Sequence, residues 1–290
     1  MRAWPQEETL REIRAQAREA SVHFRLPLGR RAWSGRAGAW AGVGRGVSLE
    51  FQDHRPYVPG DDPRHINWPA YARSGVYSMK LYREEVSPAV DVILDASASM
   101  FLDQPKRDRA LQVFLFALES AAAAGASTRA FAVTGHGWVG LPALGQGLGA
   151  LPADGPARVP RIAFLPRRPG ALRIVVSDCL FPDPPPALLR PLAAARERGL
   201  LLVPFANAEA LPGWTGQIEM IDCESEKRRT QRVDDGVRAS YREAYARHFD
   251  LWRDACARWG VAFCRLAPEG SLAEVLRRDA LARGAVEAAR

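Results

Sequence analysis

From Val90 onward the chain alternates short, mostly apolar runs with longer segments of helical period, and this constrains the fold more than any other feature. Residues 200–203 are apolar throughout, and 90–94 and 172–176 are apolar but for Asp91 and Arg173, as expected of strands covered on both faces. Between them, residues 106–121 place Leu111, Phe114, Leu115 and Leu118 at i, i+3, i+4 and i+7 of a helix, and residues 186–198 and 235–259 read as further helices. On the long helix Tyr241, Tyr245, His248, Trp252 and Cys256 share a face, and Gly260 is placed to end it. Residues 261–266 complete the strand series, and Ser271-Leu272-Ala273-Glu274 is a capping box that opens a last helix. Residues 129–133 and 138–141 are expected to pair antiparallel across Gly135-His136-Gly137, with 217–221 as one more strand. Residues 142–170, rich in Gly, Pro and Ala, are expected to form a loop with at most one short helix. Strands alternating with helices imply an α/β fold with a doubly wound, mostly parallel sheet.

The preceding residues have a different character. Residues 5–20 read as a helix, with Pro5 in the first turn, Glu7 and Glu8 matching the helix dipole, and Leu10, Ile13, Ala17 and Ala20 on one face. Composition then shifts to Gly, Arg, Trp and Ala over residues 26–46, an arm or linker carrying Trp33 and Trp40. An extended segment at 47–51, a turn-rich run from Asp53 to Arg64 and a strand at 76–82 follow. The expected organisation is an N-terminal helix and arm (1–46), a segment packing on the main domain (47–88), and the α/β domain (89–290).

The net charge of +7 is almost wholly arginine, since Lys80, Lys106 and Lys227 are the only lysines. Basic residues are spread along the chain, which makes nucleic acid an unlikely partner, and that reading survives only as an alternative through the arginine-rich first 46 residues. Cys179, Cys223, Cys256 and Cys264 form no Cys-x-x-Cys pair, which argues against a zinc ribbon or disulfide framework and for buried thiols. The longest apolar stretch, 111–124, is interrupted by Gln112, Glu119 and Ser120, so no membrane span is expected. The first residues lack an apolar signal segment, and a cytoplasmic location is the expectation.

Two apolar strands end in polar clusters, and in doubly wound sheets ligands bind at such carboxyl ends. Residues 90–94 run into Asp95-Ala96-Ser97-Ala98-Ser99-Met100, and residues 172–176 into Ser177-Asp178. A hard cation such as Mg²⁺ takes oxygen ligands, keeps several waters and uses one or two carboxylates. Asp95, Ser97 and Ser99 on one tight turn, with Asp178 arriving from a second strand, meet that demand and leave a position for a partner's carboxylate. A bland reading stands beside this one: Asp and Ser after a strand also cap the next helix. An enzymatic alternative uses Asp95 as the nucleophile of a metal-assisted hydrolase or phosphoryl transferase. Position 97 is then Ser where a second carboxylate is wanted, and no Ser-His-Asp order, His-Glu-x-x-His or phosphate-binding loop occurs, so no catalytic residue is assigned.

Asp95-x-Ser97-x-Ser99 stands downstream of a long string: Arg55-Pro56-Tyr57-x-Pro59-Gly60-Asp61-Asp62-x-Arg64-x-Ile66-Asn67-Trp68, then Ala72-Arg73 and Lys80-x-Tyr82-x-Glu84-Glu85. In this combination the chain resembles domain-of-unknown-function family fifty-eight (DUF58), over residues 44–270. The resemblance implies a von Willebrand factor A-like, Rossmann-like fold with an N-terminal extension. It also implies a metal-ion-dependent adhesion site for Mg²⁺ or Mn²⁺ at Asp95, Ser97, Ser99 and Asp178. It further implies a non-catalytic adaptor or chaperone-like role beside a MoxR-type AAA+ ATPase. Arg55, Tyr57, Gly60, Asp61, Asp62, Arg64, Trp68 and Arg73 are read as structural or partner-contacting: Asp61, Asp62, Arg64 and Arg73 as ion-paired turns that pin the N-terminal extension to the sheet, Trp68 and Tyr57 as filling a small satellite core, or the segment as a partner-contacting loop. There are two departures from the family pattern: Asn67 stands where Asp is usual, and no Ser or Thr occurs from 135 to 170 to supply the site's second-loop threonine. Gly145-Gln146-Gly147, the nearest glycine-rich segment, offers no hydroxyl, so the site either holds its metal through water or is a metal-free relic.

Overall fold

The computed structural model describes residues 4–28, 49–59, 61–84, 88–142, 148–150, 158–194 and 198–289. Two compact units divide the chain, one made of Met1–Leu28 and Pro88–Arg290, the other of Gly29–Ser87. In chain order the elements are α1 (Glu7–His23), β1 (Phe24–Arg25), β2 (Leu49–Pro56), α2 (Trp68–Ser74), β3 (Ser78–Glu84), β4 (Ala89–Asp95), α3 (Gln104–Ala123), β5 (Ser127–Thr134), β6 (Gly137–Leu141), β7 (Leu172–Val176), α4 (Pro186–Leu192), β8 (Arg198–Pro204), α5 (Asn207–Ala210), β9 (Gly216–Ile221), β10 (Arg228–Val233), α6 (Asp235–Trp259), β11 (Ala262–Leu266), α7 (Leu272–Val275) and β12 (Glu287–Ala288). The arm at 29–48 and the glycine-rich segment at 143–147 lie outside the described residues, as does Gly60.

The first unit is a mixed α/β structure built on a six-stranded sheet in the order β11-β8-β7-β4-β5-β6. Five strands run parallel and β6 turns back antiparallel to β5. The centre is β4, whose Val90, Val92, Ile93 and Leu94 are completely buried together with Asp91, the one polar residue in an otherwise apolar run. From β4 the chain winds through α3 to β5 on one side; from β7 it winds through α4 to β8 on the other. Right-handed crossovers in opposite directions put α3 and α4 on opposite faces. On the α4 and α6 face, Ile93, Val175, Leu201 and Val203 pack with Leu188, Leu189, Leu192, Phe249 and Trp252. A single core side chain of this size contributes about 1.5–3 kcal/mol when buried, so this layer supplies much of the folding free energy. Gly199 lets α4 and the start of β11 close on β8, because a Cβ there would sit 2.9 Å from both Leu192 and Val261.

Local chemistry sets the element ends. α3 starts where the Asp103 side chain accepts from the Lys106 N–H, with Pro105 in the first turn, so Lys106 emerges at the helix base. α6 begins at Asp234, which accepts from the Val237 N–H, and stops at Gly260, left-handed at φ 65°. Its buried face is Tyr245, Phe249, Trp252, Ala255 and Cys256, while Tyr241 stays substantially exposed. α1 packs along α3, with Ile13, Ala17 and Ala20 buried. The predicted helix at 186–198 ends at Leu192; Pro191 inside its last turn lacks the N–H a longer helix needs, and Arg198 already belongs to β8. Cys179, Cys256 and Cys264 are buried, but Cys223, on a hairpin turn, is only half-buried. Near the amino end of β4, the fully buried Asp91 accepts from Arg129 at 2.9 and 2.8 Å and from Arg168 at 2.6 Å.

The second unit is an antiparallel pair, β2 with β3, and the short helix α2. The Asp61 carboxylate takes two bonds from the Arg55 guanidinium at 2.7 and 2.5 Å and a third from the Val58 N–H at 2.9 Å. Arg64 chelates Asp62, whose side chain also accepts the Arg64 N–H at 3.0 Å. Of the four residues expected in ion-paired turns, Asp61, Asp62 and Arg64 are so paired, Asp61 with Arg55, whereas Arg73 donates to the Pro69 carbonyl of its own helix. Asn67, buried, caps α2 by accepting the Ala70 N–H at 3.2 Å. Trp68 does not fill a core: it is 55% exposed and sits edge-on to Tyr71 and Tyr77 in a surface aromatic cluster that Tyr57 joins. Its place as the first residue of a seven-residue helix leaves too little chain around it for burial.

Candidate functional site

The strand order changes direction between β4 and β7, and the carboxyl ends of those two neighbours carry the polar clusters. After β4 the chain bends sharply. Asp95, almost fully buried, accepts the Ser97 N–H on Oδ1 at 3.0 Å, and Ser97 then stands at the head of a short turn at Ala98–Phe101 without a capping bond from its side chain. The Asp95 bond closes the bend itself and does not cap a helix as the bland reading has it; the cap of α3 is Asp103. Along the bend Ala96, Ala98 and Met100 are buried while Ser97 and Ser99 are half-exposed, so alternation sends the apolar side chains inward and both hydroxyls to the rim. The two hydroxyl oxygens lie 3.2 Å apart.

Ser177 joins the two strand ends. Its hydroxyl donates to Asp95 Oδ2 at 2.7 Å and accepts the Cys179 N–H at 3.3 Å. Asp178, the next residue, is buried, accepts the Leu180 N–H on Oδ1 at 3.0 Å, and takes the Lys106 ammonium on Oδ2 at 2.7 Å. Cys179 is held at φ 57°, a left-handed backbone that a non-glycine residue adopts at a cost of order 1 kcal/mol or more. The His248 ring on α6 meets its carbonyl at 2.8 Å. The structure thus brings Asp95, Ser97, Ser99 and Asp178 to one place, while Arg55, Tyr57, Asp61, Asp62, Arg64, Trp68 and Arg73 belong to the second unit.

Three residues join the cluster without having been expected there. The Lys106 ammonium, completely buried, bridges Asp178 and Glu209 at 2.7 and 2.5 Å. Glu209 also accepts the Ala206 N–H at 3.0 Å, half of a capping box on α5 that fixes its direction. The third is Glu224, from the turn between β9 and β10, with Oε2 buried and no hydrogen-bond partner. Glu209 and Glu224 lie far from Asp95 in sequence, and no spacing in the chain links them to it.

The electrostatics follow from the ratio of carboxylates to cations. Burial and the two facing carboxylates act on Lys106 in opposite directions; the carboxylates prevail and hold its ammonium charged. Asp178 is buried too, yet Lys106 and its hydrogen bonds, one of them from Ser99, hold it below the usual carboxylate range. Asp95 has no cation of its own: burial, then repulsion from Asp178, push it up to about 6 against its bonds to Ser177 and Ser97. Burial, then the charges of Asp95 and Asp178, push Glu224 up to about 7, opposed by the Ser99 hydroxyl. Two carboxylates at this rim therefore lack a counter-charge. Among the described residues no group of three or more His, Cys, Asp and Glu side chains is placed to hold a metal ion directly. A cation here would rest on the two hydroxyls, at most two carboxylates, and water, a set that suits Mg²⁺ or Mn²⁺.

A six-stranded, mostly parallel sheet flanked by helices, with acids and hydroxyls at its switch point, defines an α/β protein with a candidate cation site. Residues 53–147 match the model of a family described as "Protein of unknown function DUF58", which supports the resemblance read from the sequence. That stretch contains Asp95, Ser97, Ser99 and Lys106 but stops before Asp178 and Glu224. No curated protein and no solved structure matches the chain. Among the described residues no helix is long and apolar enough to cross a membrane.

Proposed function

We propose that this protein is a non-catalytic binding module of von Willebrand factor A-like type, which seats Mg²⁺ or Mn²⁺ over the Ser97–Ser99 turn and captures a carboxylate of a protein partner there. The carrying observation is the convergence of Asp95, Ser97, Ser99 and Asp178 at the sheet's switch point, stapled by the Ser177–Asp95 bond. An antiparallel edge strand beside an otherwise parallel six-stranded sheet supports the fold reading. The unpartnered Glu224 oxygen and the raised Asp95 and Glu224 support the cation. A bound divalent ion would supply a Lewis-acidic anchor for an incoming carboxylate. The chain's own groups then have separate tasks: Ser97 and Ser99 present oxygens, Asp178 holds Ser99, and Lys106 keeps Asp178 ionised.

The nucleophile alternative is disfavoured because both Asp95 oxygens already accept hydrogen bonds, from Ser97 and Ser177, which blunts a carboxylate meant to attack. By family resemblance the partner is a MoxR-type AAA+ ATPase. Calorimetric titration of Mg²⁺ or Mn²⁺ into the full chain and Asp95→Ala tests the site: the wild type is expected to bind one ion and the variant none, and equal heats would remove the site from the argument. Co-elution with such an ATPase in Mg²⁺ but not in EDTA is the expected result for the partner, and co-elution unaffected by chelation would place the contact elsewhere.

A further inference from the structure

The turn at residues 222–227 is closed on itself. The Asp222 side chain accepts the N–H groups of Glu224 and Ser225 at 3.0 and 2.6 Å. The Asp222 N–H and carbonyl pair with the Lys227 carbonyl and the Glu226 N–H, each at 2.9 Å. Asp222, Ser225, Glu226 and Lys227 are all exposed. Glu224 alone among these charged and hydroxyl side chains turns inward, to face the Ser99 hydroxyl and the charges of Asp95 and Asp178. A glutamate on an exposed hairpin tip has water within reach of a rotamer change, so turning toward two other carboxylates is unfavourable for the ionised side chain unless a cation belongs there.

Hydrogen bonding separates the three carboxylates. Asp95 uses one oxygen for Ser97 and the other for Ser177; Asp178 uses one for Leu180 and the other for Lys106. Glu224 Oε2 is uncommitted. We propose that Glu224 takes the place of the hydroxyl that residues 135–170 cannot supply, binding the cation directly with Ser97 and Ser99 while Asp95 and Asp178 act through water. This rests on the cation reading above. It uses one direct carboxylate, within what Mg²⁺ accepts alongside retained waters, and it needs no cage of three acidic ligands. It also makes the β9–β10 hairpin part of the site.

The test uses Mn²⁺ alone as the probe, with free ion counted by electron paramagnetic resonance, on the full chain and on Glu224→Gln, Glu219→Gln and Asp95→Ala. Glu219 is an exposed carboxylate on the same hairpin, so its variant controls for simple loss of charge. One ion per wild-type chain, at least tenfold weaker binding in Glu224→Gln, and binding within twofold of wild type in Glu219→Gln is the expected pattern. Urea unfolding in EDTA should leave Glu224→Gln at or above the wild-type midpoint, which separates lost ligation from lost folding. If Glu224→Gln binds like the wild type while Asp95→Ala does not, Glu224 is no ligand and the cation reading stands without it. A tenfold loss in Glu219→Gln as well overturns the assignment by showing a general charge effect. A wild type that binds no Mn²⁺ overturns both readings.

Discussion

Lys106→Met isolates the energetic centre of the site. The methionine keeps the unbranched stem and removes only the ammonium, which is completely buried against Asp178 (side chain 3% exposed) and Glu209 (24% exposed). Glu209 can regain water by a small rotation, so the cost falls mainly on Asp178, left with hydrogen bonds but no counter-charge. Removing one partner of a buried ion pair costs about 3–5 kcal/mol. With a urea m-value of about 3 kcal/mol/M for a chain of this size, the midpoint should fall by roughly 1–1.7 M. Tryptophan fluorescence can follow the transition, because Trp252 is completely buried. Adding Asp178→Asn to Lys106→Met should restore about 2 kcal/mol or more, a coupling that a double-mutant cycle reads directly. Without its lysine, Asp178 has a folded-state pKa above its unfolded one, so the variant's deficit should shrink as pH falls from 8 to 5. A Lys106→Met protein within about 1 kcal/mol of wild type, or effects of the two substitutions that simply add, would show that the ammonium is not what stabilises Asp178.

Further outcomes are expected from features on the same sheet. Asp95, raised from 3.8 to about 6 in the folded chain, contributes stability that is intact below pH 3.8 and lost as pH rises to about 6. At about 1.4 kcal/mol per unit, that is a decline of about 3 kcal/mol. In metal-free buffer Asp95→Asn should flatten this part of the profile, since its amide oxygen keeps the Ser97 bond while the Ser177 hydroxyl rotates to accept; equal slopes in the two proteins between pH 4 and 7 would contradict the assignment. Gly199→Ala should cost about 1–3 kcal/mol of stability, read as a lower urea midpoint, because the new methyl meets Leu192 and Val261 at 2.9 Å; a neutral effect would mean α4 and β11 are free to spread.

What could be read from the letters and what could not divides along physical lines. β4, β7 and α6 were legible because apolar run length and periodicity report burial directly, and Gly260 and Ser271 mark element ends through their own backbone chemistry. β10 was missed because Arg228-Arg229-Thr230-Gln231-Arg232 is polar on both faces; its strand state comes from backbone pairing with β9, which leaves no hydrophobic trace. α2 carried a cap at Asn67 and a first-turn Pro69, but seven residues are too few for a period to show. Asp95, Ser97 and Ser99 were visible as one contiguous string. Lys106, Glu209 and Glu224 were not, because they reach the site from three other elements and no local spacing encodes that meeting.

The two ends of the central sheet treat acid very differently. At the floor one carboxylate, Asp91, is matched by two guanidiniums; at the rim, among the described residues, Asp178 and Glu209 share the Lys106 ammonium while Asp95 and Glu224 pair with no cation. On a chain of net charge +7 this creates a small basin of opposite potential, which favours cations over acidic proteins. Under the proposed function, assembly then has a compulsory sequence, ion before partner, and withdrawal of the ion is enough to expel whatever docked on it.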